Sequence, residues 1–192
     1  MKNTRLILNT ILIAWVSLLM AGPTMADTIY SPMPSYIEDD WNSMKVVGQT
    51  KLKRFGFHVY DATFWTKDYS GDEITNAFIS NSTCALSITY ARKIKVKHLL
   101  SNTKKEWLRL GFAERYPIDA WLKILSNIWP DVNKGDQLVF VKTYDGKSTF
   151  YNKNKMLGTI DDPEFGTAFL SIWLDEKSRF KRNREELSGE RK

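Results

Sequence analysis

Cysteine is almost missing from this sequence. Cys84 stands alone, which excludes an intramolecular disulfide framework and any multi-thiolate zinc site. Histidine is nearly as scarce, with only His58 and His98, too few for a His-rich metal centre. Neither a metal nor a cofactor is therefore expected. The short catalytic signatures are missing too: there is no G-x-S-x-G elbow, no Gly-rich phosphate loop ending in Lys-Ser/Thr, no G-x-G-x-x-G and no H-E-x-x-H. Beyond residue 20 no apolar run approaches the roughly 18 residues of a membrane-spanning helix.

What is there suits one globular core. Of 192 residues, 43% are apolar and 13% aromatic, seven of them Trp, which excludes wholesale disorder, collagen and coiled coil. The formal net charge is +6; setting aside Lys2 and Arg5 leaves 26 basic against 22 acidic residues, or +4. So mild a surplus does not point to nucleic acid.

Residues 1–26 read as a secretory signal. MKNTR carries two positive charges, Leu6 to Met20 is largely apolar, and Gly-Pro with small residues follows up to Ala26. As a helix the apolar run spans only about 22 Å, short of the roughly 30 Å hydrocarbon core. Thr24 and Ala26 satisfy the small-residue requirement before a cleaved bond, so the mature chain is expected to begin at Asp27, in the periplasm.

Residues 27–43 mix Pro, Ser, acids and scattered aromatics and read as an extended lead-in. From Met44 the pattern is strand. FGFHVYDATFW puts His58, Tyr60, Ala62 and Phe64 on one face, and TCALSITY puts Cys84, Leu86, Ile88 and Tyr90 on one side as a half-buried strand. Two helices follow. In KVKHLLSNTKKEWLRLG the residues Val96, Leu99, Leu100, Trp107 and Leu108 form a stripe stopped by Gly111, and Pro117 opens a second helix with Ile118, Trp121, Leu122 and Leu125 inward. Strand character returns over residues 136–160, with an Asp145-Gly146 turn suited to a two-residue hairpin. Asp161 or Asp162 then caps a last helix that carries Phe165, Ala168, Phe169, Ile172 and Trp173. From Lys177 to Lys192 the chain is polar and basic and is expected to leave the fold. The order is α+β: an antiparallel sheet covered on one face by a helical layer.

The residues with chemical potential have plain structural explanations. His58 reads as a partly exposed strand residue, Cys84 as an inert core thiol, and Asp161-Asp162 as helix-start residues. From Arg92 to Arg109 seven Lys or Arg stand against Glu106 alone. Lys97, Lys104 and Lys105 fall away from the apolar stripe, giving a solvated face or a peripheral contact with an anionic membrane surface.

Three segments carry a family resemblance. VVGQTKLKRFGFHVYDATFW, LSITYARKIKVKHLL and LGTIDDPEFGTAFLSIWLDEKS resemble, in that order, the opening strands, the strand-to-helix passage and the closing helix of bacterial chalcone isomerase-like proteins. The likeness spans residues 44–176 and implies the chalcone isomerase fold, an open sandwich with a cleft between sheet and helices. It does not imply the isomerase reaction. The enzymes' Thr, five residues before the Tyr of Val-Tyr, corresponds to Phe55; no Arg stands upstream near the strand start, and Arg54 is expected on the opposite strand face. The oxyanion-stabilising pair is thus not recovered.

The expected function is an exported, non-catalytic protein that binds a small apolar or fatty-acid-like ligand in the cleft. Tyr60 and Arg92 are the ligand-binding candidates: a hydroxyl, and a guanidinium whose fork matches a carboxylate. Alternatives are an intramolecular lyase or isomerase on another substrate, and a cell-envelope protein-interaction module. No oligomeric state is implied.

Overall fold

The computed structural model describes residues 28–37, 43–67, 69–71 and 73–191. Residues 1–26, expected to be a signal, and Asp27, the expected mature start, lie outside the described residues.

Six strands form one antiparallel sheet in chain order: β1 (Lys45–Arg54), β2 (Phe57–Thr66), β3 (Cys84–Tyr90), β4 (Gln137–Lys142), β5 (Ser148–Tyr151) and β6 (Met156–Ile160). Alternation sets which face each side chain takes. Ala62, Phe64, Cys84, Leu86, Ile88, Leu138, Phe140 and Phe150 all join one large core under the helices. The helices are α1 (Asn76–Ser80), α2 (Val96–Arg109), α3 (Ile118–Ile128), α4 (Phe165–Leu174) and α5 (Lys181–Leu187).

Polar contacts fix where α2 and α4 begin. No side chain of its own caps α2. Instead Asp131 reaches across, accepting from the Val96 N–H at 2.8 Å and from Lys95 Nζ at 2.7 Å. Those donors hold its carboxyl below the usual carboxylate range. Before α4, the Asp162 carboxylate accepts from the Glu164 N–H at 3.0 Å and from Trp121 Nε1 at 2.8 Å, tying the helix start to α3. Trp107, Trp121 and Phe165 then meet edge to face at 5.3–6.1 Å, contacts of roughly 0.5–1.5 kcal/mol each beyond area burial.

Four expectations change. First, β3 is buried on both faces. Residues 28–37 lie across the outer face, where Met33 and Ile37, together with Met44, pack with Trp65, Ala85, Val139 and Val141. Second, the basic C-terminal stretch does not leave the fold: α5 packs on edge strand β1 and Leu187 enters the main core. Gly48 makes this close approach feasible, since a Cβ there would stand 2.1 Å from the Glu186 carbonyl oxygen. Third, the Asp145-Gly146 turn spans three residues. Thr143 and Lys147 close it, and Gly146 takes φ +91°, the geometry of a turn followed by a one-residue bulge. Fourth, Leu108 sits off the buried stripe of α2 and is exposed.

Candidate functional site

Between sheet and helices lies a cavity of about 430 Å³, within the range of small-ligand sites. Sheet register builds its floor in rows. Leu52, Tyr60 and Tyr90 stand side by side, then Ile88 and Leu138, then Leu86, Phe140 and Phe150. Four residues of strand separate the first row from the last, about 13 Å at roughly 3.3 Å per residue. Phe169, Ile172 and Trp173 of α4 and Leu99 and Thr103 of α2 form the roof. The surface therefore runs from purely apolar at the Phe140–Phe150 end to phenolic at the Tyr60–Tyr90 end.

The phenols are neutral donors. The Tyr60 hydroxyl accepts from Trp173 Nε1 at 2.8 Å, which leaves its own proton free to donate. Burial pushes this phenol up to about 12; the Trp173 hydrogen bond opposes the shift and the Glu106 charge adds to it. Burial raises Tyr90 as well, reinforced by Tyr60. The two rings meet edge on at 6.3 Å. The Tyr90 hydroxyl has no hydrogen-bond partner among the described residues.

Charge gathers in the same lining: Arg54, Lys105 and Arg179 with one acid, Glu106. Glu106 accepts from Arg109 Nε at 2.7 Å and pairs with Arg179 at 3.3 Å, while Arg109 also donates to the Lys177 carbonyl. This clamp draws the C-terminal segment over α2 and brings Arg179 and Phe180 into the lining.

Of the two sequence candidates, Tyr60 lines the cavity. Arg92 is exposed beyond the end of β3 and is not part of the lining, so the two are not brought together. Arg54 does line the cavity, contrary to the expected opposite face, because it alternates with Leu52 on the inward side of β1. Phe55, at the position of the enzymes' Thr, sits exposed at the β1–β2 hairpin tip. His58 is exposed and pairs with Asp61 at 3.0 Å. Tyr90 was readable from strand alternation. Arg179 and Phe180 were not, because their basic segment gives no periodic apolar signal.

An open antiparallel sheet roofed by helices over an apolar cleft is the architecture of the chalcone isomerase fold. Residues 38–187 match the chalcone isomerase-like family, and the chain belongs to it. A solved structure of a fatty-acid binding protein from Arabidopsis thaliana shares the fold, with a TM-score of 0.59 at 10% identity over 78% of this chain and 88% of that one. No curated protein sequence matches this chain.

Proposed function

We propose that this protein binds an amphipathic ligand, a carboxylate-headed acyl chain, in the cavity and does not transform it. The observation that carries the reading is the gradient of the lining: apolar at the Phe140–Phe150 end, two neutral phenols, then three cations against one acid. An acyl chain fits the first part, and a carboxylate fits a guanidinium and phenol donors. The Arabidopsis neighbour is a fatty-acid binding protein by name, which supports the same ligand class. Fluorescent fatty-acid titration tests it. Arg179→Ala should weaken binding by about 1.5–3 kcal/mol, the range for a hydrogen bond to a charged group, and Arg92→Ala should leave it unchanged. Wild-type protein that binds no fatty acid would overturn the reading.

The same proposal includes export to the periplasm with loss of residues 1–26. N-terminal sequencing of the processed protein should begin at Asp27, and retention of Met1 would refute it. With Phe55 in place of the enzymes' hydroxyl, no stereoselective chalcone closure above background is expected.

A further inference from the structure

The β1–β2 hairpin tip is costly for both folding and solubility, and the ligand cavity explains neither cost. Phe55 and Gly56 form a two-residue turn with φ of 51° and 79°, a geometry that favours Asn-Gly and strains a bulky side chain. The strained residue is also 87% exposed, and Phe57 beside it is 67% exposed. Lys53 and Arg54 flank them, while Lys51, further down the ladder, holds its ammonium over the Tyr30 ring at 4.4 Å; there is no acid from Lys51 to His58. The Arg54 guanidinium lies over the Phe55 ring at 5.4 Å. Asp61, which faces Lys51 across the ladder, is engaged by His58.

We propose that this tip is a membrane-docking finger: Phe55 and Phe57 insert into the interface of an anionic lipid bilayer while Lys53 and Arg54 hold its headgroups. Two aromatic side chains on a narrow turn are far too little surface for a stable protein interface, which needs about 800 Å² per partner. An aromatic wedge with a cationic collar is what an anionic bilayer surface holds. Arg54 belongs to both the finger and the cavity lining, so docking would bring one side of that lining to the bilayer. This inference does not depend on the acyl-ligand reading.

The test needs a local readout, because the apolar run at residues 6–20 could itself hold a full chain on vesicles. Cys84 is fully buried, so a Phe55→Cys variant takes an environment-sensitive NBD label selectively at the tip. Lys147→Cys labels the β4–β5 turn at the opposite end of the sheet. With phosphatidylcholine vesicles containing phosphatidylglycerol, the tip label should shift to the blue, and salt should reverse the shift. The Lys147→Cys label should not respond. Phe55→Asn, which suits the turn, should lower vesicle affinity by about tenfold or more while keeping fatty-acid binding in solution. The proposal fails if the tip label does not shift on anionic vesicles, or if both labels shift alike. It also fails if the tip shifts with protein concentration alone, which would mean self-association.

Discussion

At Tyr60 one hydroxyl has two jobs: it accepts the Trp173 N–H and keeps a proton to offer a ligand. Its raised pKa makes this testable. The folded phenol titrates at about 12 against an ordinary 10.0, so above pH 10 the unfolded chain loses a proton that the folded chain retains. The stability from this group is complete below pH 10 and is lost as pH climbs towards 12, by an amount on the order of 3 kcal/mol. Tyr60→Phe should remove that part of the alkaline decline in urea-unfolding free energy, leaving the part due to Tyr90. It should also weaken fatty-acid binding by about 0.5–1.5 kcal/mol. An unchanged alkaline limb would show that another group titrates. Single residues were legible where alternation governs, as for Tyr60, and illegible where burial breaks the polar-outside rule. Lys142 looks like the wet end of a strand. It is instead buried, its ammonium donating to the carbonyls of Ser80, Ser82 and Thr143, and desolvation lowers its pKa.

The elements read well where an apolar stripe repeats and poorly where one apolar residue does the packing. Helix α5 is the clear case. Its sequence, KRNREEL, is polar or charged apart from its last residue, and its ion pairs, such as Arg182 to Glu186 at 2.7 Å, suit a solvated segment. Yet Leu187 is fully buried, Thr50 donates to Glu186 at 2.5 Å, and Asn183 donates to Thr50 at 2.6 Å. These contacts hold α5 against the inward face of edge strand β1. Leu187→Ala should therefore cost about 2–5 kcal/mol, the range for emptying a buried leucine site. Chemical denaturation gives the number, and a loss below about 0.5 kcal/mol, typical of surface positions, would mean that α5 is only loosely attached. Fatty-acid affinity should fall in the same variant, because the chain that ends in α5 also carries Arg179 and Phe180 into the cavity.

For the whole molecule, the strand–helix order and the family resemblance led to the right architecture, but they accounted for only one covered face of the sheet. The other face needs the lead-in, whose Pro and Ser give no periodic signal. Its hold is a buried polar network. The Ser31 N–H donates to Thr63 Oγ1 at 3.1 Å, Ser31 Oγ meets Thr89 Oγ1 at 2.9 Å, and Gln137 Nε2 donates to the Pro32 carbonyl at 2.6 Å. Ser87 donates to the Ser31 carbonyl and accepts from Trp65 Nε1 at 3.1 Å. Deleting residues 28–37 would leave Thr63, Ser87 and Gln137 without these partners and uncover Trp65, Val139 and Val141. Burial of Ile37 alone is worth about 1.5–3 kcal/mol, and each lost hydrogen bond about 1 kcal/mol. The deletion should therefore cost at least about 4 kcal/mol, a large share of the roughly 5–15 kcal/mol that holds a typical domain. A lowered denaturation midpoint together with new binding of an apolar dye would show it, and an unmoved midpoint would show that the lead-in rides passively on the sheet. The same network bears on the proposed processing: a cut after Ala26 would leave Ser31 and Ile37 in place, whereas a cut beyond Ile37 would remove the Ser31 network and the Met33 and Ile37 side chains that cover this face.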